Sequence, residues 1–143
     1  MRIGIFSDTY PPQVNGVVTV IRTLKKGLEE QGHQVFVFTI KHPDAKKEEG
    51  VYRLHSFQFP NEPQHRIGIF FEQKIIRVVK DLHLDIIHTH SEFSLYVAAR
   101  AVSRKLGLPH VHTLHTFYQD YLYYVPLIEP FLKHNLPAFL KHI

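Results

Sequence analysis

The order of apolar and polar residues predicts a doubly wound α/β sheet, mostly parallel, and three observations carry the prediction. Short apolar runs suited to strands alternate with segments of helical spacing along residues 2–114. Two of the helical segments stop at a glycine, Gly32 and Gly107, and Pro109 follows the second. Polar and titratable residues collect where three strands are predicted to end, and open α/β sheets bind ligands at the carboxyl ends of their strands.

Residues 2–7 are rich in β-formers and predict a buried first strand. Residues 8–16 follow, where Pro11, Pro12 and Asn15-Gly16 forbid regular structure. Val17, Val20, Ile21, Leu24 and Leu28 recur at helical spacing, with Lys25, Lys26, Glu29 and Glu30 on the other side, so 17–30 predicts a helix capped at Gly32. Residues 34–40 predict a second strand, which makes a parallel pair with a right-handed crossover. A charged loop over 41–50, a short strand over 51–59 and a turn-rich stretch over 60–64 come next. Residues 67–82 predict a helix, 84–89 a strand, 93–106 a helix and 110–114 a fifth strand. The remainder, 118–143, is aromatic and apolar, but Pro126, Pro130 and Pro137 break any long helix there. No internal repeat appears, and 143 residues predict one domain spanning 1–143.

Composition narrows the classes. A hydrophobic fraction of 44% suffices for a core, yet no stretch reaches the roughly 20 apolar residues of a membrane span. Met1-Arg2 runs straight into a strand, which does not suit a signal peptide. With no cysteine, disulfides and thiolate chemistry are excluded, and the expected compartment is the cytoplasm. The net charge of +4 fits nucleic acid, anionic lipid or phosphorylated ligands without choosing among them.

The candidate chemistry lies at three strand ends: 8–16, 88–92 and 115–118. Asn15-Gly16 stands at the start of a helix, whose free amides and partial positive charge suit an anion. Gly16 would let a phosphate approach the backbone and could take positive φ. The pair reads equally well as a turn in which Asn15 caps the helix. His88 and His90 share one face of a strand, as do His110 and His112. Zinc sites usually add carboxylate or cysteine ligands at recognisable spacing, so these histidines read as core or cleft residues and no metal is expected. Glu92 suits a helix N-terminus. His90, Glu92 and Tyr118 are the candidate cleft residues. His115 ends an apolar strand and opens a polar loop, where it could bond a sugar hydroxyl or a developing charge, or have no role. The aromatic segment from Tyr118, with Lys133 and Lys141, reads as a surface meeting lipid headgroups or as a helix packed on the sheet. A dinucleotide-type Gly-x-Gly-x-x-Gly is absent.

Three runs together resemble the family-4 retaining glycosyltransferases, in that family's order: residues 2–12 with Asn15-Gly16-Val17, residues 85–90 and residues 109–116. The run 115–121 looks most like the bacterial diacylglycerol glucosyltransferases. The resemblance implies a Rossmann-like domain forming the N-terminal, acceptor-side half of a two-domain GT-B enzyme. The C-terminal nucleotide-sugar half would lie outside this chain, which is expected to be inactive alone. It implies a nucleotide-sugar donor, UDP-glucose or a similar one, as substrate, with no cofactor and no metal. The implied acceptor is a membrane lipid such as diacylglycerol, with a soluble or cell-wall acceptor as the alternative; a non-catalytic binding domain is the rival class. Nucleic acid is not an implied partner. Gly16 and Asn15 would meet the donor diphosphate, and His115 would sit beside the reacting sugar. One departure stands out: Asn15 occupies the place of a family glycine. A peripheral site on the inner face of the membrane, and a homodimer through an exposed interdomain face, complete the expectations.

Overall fold

The computed structural model describes residues 1–59, 62–68 and 72–115. Tyr118 and the aromatic segment lie outside them. The chain divides into two compact units, Met1–Thr113 and Leu114–Ile143. The first unit holds β1 (Arg2–Phe6), α1 (Gly16–Glu30), β2 (Gln34–Ile40), β3 (Val51–Leu54), β4 (Ser56–Phe59), β5 (Glu62–Gly68), α2 (Glu72–Asp81), β6 (Ile86–Thr89), α3 (Ser94–Leu106) and β7 (His110–His112).

Five strands form a sheet in the order β3-β2-β1-β6-β7, each pair parallel. Alternation along the central strands sends side chains to two apolar layers. Ile3, Ile5, Val35 and Val37 pack with Ile21 of α1 on one face. Phe6, Phe38, Ile40 and Ile87 pack with Ile75, Ile76 and Val79 of α2 and Leu95, Ala98, Ala99 and Val102 of α3 on the other. The Phe6 and Phe38 rings stack with centroids 4.3 Å apart. Cover on both faces is why residues 3–6 and 35–40 are nearly continuous in apolar side chains. This is the doubly wound sheet that the sequence predicts.

Helix ends follow local chemistry. Gly32 takes φ +83°, its amide donates to the Glu29 carbonyl and the His33 amide to that of Leu28, a Schellman closure. Gly107 closes α3 at φ +66°. α1 begins one residue earlier than expected, at Gly16, with Asn15 in extended geometry as its N-cap.

The middle of the chain differs from expectation. The strand predicted over 51–59 breaks at His55: β3 pairs with β2, while β4 leaves the main sheet and pairs antiparallel with β5. β5 covers residues read as a turn and a helix start, so α2 begins at Glu72 rather than at 67. Short apolar runs fit either period, and a two-stranded ribbon admits Pro63, which donates no hydrogen bond. Gly68 at the end of β5 is buried, and a Cβ there would stand 2.8 Å from Ser94 Oγ and 3.0 Å from Ile40 Cγ2. Only glycine lets the ribbon come this close to α3. The fifth strand also stops early, at His112.

Candidate functional site

Strand order reverses between β1 and β6, and the five strands of the main sheet run parallel, so the segments after β1 and β6 flank the crevice where doubly wound sheets place ligands. The segment after β1 is pinned from two sides. Tyr10 is buried, its hydroxyl donates to Glu48 Oε1 at 3.2 Å, and burial first and Glu48 second push its pKa up to about 12. The Arg53 guanidinium lies over the Tyr10 ring and donates to the Pro11 carbonyl at 2.8 Å and the Ile40 carbonyl at 3.3 Å. Burial lowers the Arg53 pKa from its ordinary value. On the other side, the Asp8 carboxylate accepts from Ser91 Oγ at 2.6 Å, from Ser94 Oγ, and from the Leu95 amide at 3.1 and 3.2 Å. The Asp8 amide in turn donates to Ser91 Oγ at 2.9 Å.

Asn15 uses both ends of its side chain. Oδ1 accepts from the Val18 amide at 2.9 Å, and Nδ2 donates to Thr9 Oγ1 at 2.8 Å. Among the described residues the Gly16 and Val17 amides find no acceptor, as expected for a helix's first positions. Gly16 is helical and not at positive φ; its surroundings are open, with no atom within 4 Å of a would-be Cβ. The positive φ open to a glycine is not used here, and nothing within the described fold demands glycine at this point. Beside it a cleft of about 440 Å³ runs along 11–15 and past Thr19, Arg22 and Lys26 of α1.

The segment after β6 holds His90, 2% exposed, its amide donating to the Phe6 carbonyl at 2.9 Å and its ring 4.1 Å from that of His88. His88 Nε2 meets Thr113 Oγ1 at 2.7 Å. Thr89 Oγ1 meets His110 Nε2 at 2.9 Å, His112 Nδ1 at 2.8 Å and the Val111 carbonyl at 3.4 Å. A hydroxyl carries one proton, so at least one of these two imidazoles donates to Thr89. The Tyr96 ring packs against both. Glu92 Oε1 stands 3.6 Å from His112 Nε2. Among the described residues no group of three or more His, Cys, Asp or Glu is arranged to hold a metal ion.

The predicted residues thus fall in separate places. Asn15 and Gly16 head α1, and His90 and Glu92 form the turn into α3. His115 is half-buried, three positions past β7 and at the start of the second unit. Asp8 and Ser91 lie inside the strand-end runs 8–16 and 88–92, but the sequence reading assigns no role to them or to Ser94, the three residues that tie the first two places together. The available signal is negative: α3 has Phe93 at its N-cap position, with no side-chain cap of its own.

The chain has relatives among known proteins. The chain is 42% identical to alpha-monoglucosyldiacylglycerol synthase of Streptococcus pneumoniae, over 100% of its own length and 34% of that protein. It is 41% identical to the enzyme of the same description from Acholeplasma laidlawii, over 87% of this chain and 32% of the relative. A GDP-mannose-dependent alpha-mannosyltransferase of Corynebacterium glutamicum is 29% identical over 76% of this chain and 28% of its own. The chain therefore spans about a third of the length of the curated relatives it matches. The crystal structure of Acinetobacter baumannii MurG superposes with a TM-score of 0.54 at 14% identity, covering 87% of this chain and 39% of that one, a likeness of fold. The family profile described as Glycosyltransferase Family 4 matches residues 14–143, and on that match the chain belongs to glycosyltransferase family 4.

Proposed function

We propose that the full-length protein moves a hexose, glucose by preference, from a nucleotide sugar such as UDP-glucose to a diacylglycerol-type membrane lipid, with retention at the anomeric carbon. The observation that carries this reading is the 42% and 41% identity to two alpha-monoglucosyldiacylglycerol synthases over all or most of the chain. In this reading residues 1–143 form the acceptor-side domain of a two-domain GT-B enzyme, and the rest of the protein supplies the nucleotide-sugar domain. The donor diphosphate lies at the α1 N-terminus, where the open Gly16 and Val17 amides and the helix dipole favour an anion. Asn15 acts by holding that terminus, since its side chain is engaged with Val18 and Thr9. In the same reading His115 bonds a hydroxyl of the reacting sugar, and His90 and Glu92 serve the acceptor side; Tyr118, also assigned to the acceptor by the sequence, lies outside the described residues. No cofactor or metal is needed in this scheme.

The test is transfer by the full-length protein from UDP-glucose and GDP-mannose to diacylglycerol vesicles and to soluble sugars, with Gly16→Val beside the wild type. Glucolipid formation is expected, with a raised donor KM and an unchanged melting curve in the variant, because the site is open inside the domain. Mannose transfer, or transfer only to soluble acceptors, rejects the donor or acceptor assignment. An unchanged donor KM removes Gly16 from the site.

A further inference from the structure

The two ligand-flanking segments of the sheet are joined by one side chain, that of Asp8. Among the described residues its carboxylate is the only side-chain cap at the N-terminus of α3, and it comes from 87 positions upstream. Both of its oxygens are used. Oδ1 takes Ser94 Oγ and the Leu95 amide, and Oδ2 takes Ser91 Oγ and the same amide. Ser94 Oγ also accepts the Gly68 amide at 3.0 Å, which extends the tie to β5. In the other direction, Thr9 follows Asp8, its amide held by Ser7 Oγ at 3.3 Å, and its Oγ1 receives Asn15 Nδ2. Asn15 Oδ1 then holds the Val18 amide of α1. A short path of chain and hydrogen bonds thus runs from the N-terminus of α3, across the strand-order reversal, to the N-terminus of α1.

We infer that Asp8 is a positioning residue for glycosyl transfer: it sets the spacing between the donor end of α1 and the His90–Glu92 turn on the acceptor side. The inference rests on the proposed function. Asp8 touches neither reacting sugar nor lipid; it acts through the elements it joins. A site split over two elements transfers efficiently only when their spacing is held, and a displacement of about 1 Å can cost on the order of 10²-fold in rate. Arg53 supplies the contrast. It anchors the same loop at Pro11, and among the described residues its hydrogen bonds go to Pro11 and Ile40 and not to α3.

The test compares Asp8→Ala, Asp8→Asn and Arg53→Met with the wild type in full-length enzyme, reading melting temperature, kcat and the KM for donor and for lipid separately. Asp8→Ala is expected to lower kcat by about 10²-fold and to raise both KM values. Asp8→Asn, which keeps the shape and one acceptor oxygen, should recover most of the loss. Arg53→Met should raise the donor KM while leaving the lipid KM in place. If Asp8→Ala does not fold, Asp8→Asn and Ser94→Ala give the same comparison at smaller amplitude. A folded Asp8→Ala variant, or a folded Ser94→Ala variant where Asp8→Ala does not fold, with kcat and both KM values within two-fold of wild type overturns the inference. So does an Asn variant no better than Ala. Wild-type enzyme inert with every donor and acceptor removes the proposed function and this inference with it, whereas active wild type beside an equally active Asp8→Ala removes this inference alone.

Discussion

At the scale of single residues, one histidine gives the domain a pH dependence with a definite sign. Burial first, then the neighbouring charges of His112 and Arg100, lowers the pKa of His110 below its ordinary 6.5. The folded state therefore favours neutral His110, and below about pH 6.5 the unfolded chain binds the proton more readily. The stability from this group is present above that pH and is lost as pH falls through the unfolded value toward the folded one. The melting temperature should drop between pH 7.5 and 5.5, and less steeply in His110→Gln, which does not titrate and can still reach Thr89. Parallel pH profiles for the two proteins would remove His110 as the source. Asp8 makes a different point at the same scale. In sequence it is one acidic residue in a proline-containing loop; in the fold it accepts from three donors on another segment.

Among the elements, the two best-characterised helix starts are secured in different ways. α1 carries its own cap, since Asn15 accepts from Val18 three residues on. Asn15→Ala should cost about 1 kcal/mol of stability in urea unfolding, within roughly 0.5–2 kcal/mol. A change below about 0.3 kcal/mol would mean that the Thr9 bond and the cap contribute little. α3 instead borrows Asp8, so no local pattern marks its start. The β4–β5 ribbon likewise depends on a partner: neither strand's sequence names the other, and the close contact at Gly68 exists only after α3 has packed.

For the whole molecule, the proposal of a lipid acceptor implies a surface that meets a membrane. No helix among the described residues is long and apolar enough to cross one. α2 buries Ile75, Ile76 and Val79 while exposing Lys74, Arg77 and Lys80. Each basic residue near an anionic surface contributes about 1 kcal/mol, attenuated over a Debye length. The protein should co-sediment with anionic vesicles at low salt, release at high salt and bind neutral vesicles little. Replacing the three basic residues by alanine should weaken the anionic binding. Equal binding to both lipid types, or to neither, would sink this electrostatic account and favour a soluble acceptor.

What the sequence determined by itself is what local chemistry controls. Alternating apolar runs and helical spacing specify β1, α1, β2 and α3 within a few residues, because each must bury its own apolar side chains on a covered sheet. Gly32 and Gly107 end helices where positive φ is needed, and Asn15 begins one where a free amide is near. The runs after β1 and β6 were legible for the same reason: parallel strands carry their following loops to one edge. Tertiary structure alone decided the rest. It split 51–59 between two sheets, shifted the start of α2, gave His88, His110 and His112 their threonine partners, and bound Asp8 to α3. These depend on groups far apart in the chain, and short residue patterns specify periodicity and capping but not which distant donor a carboxylate will meet once the sheet has formed.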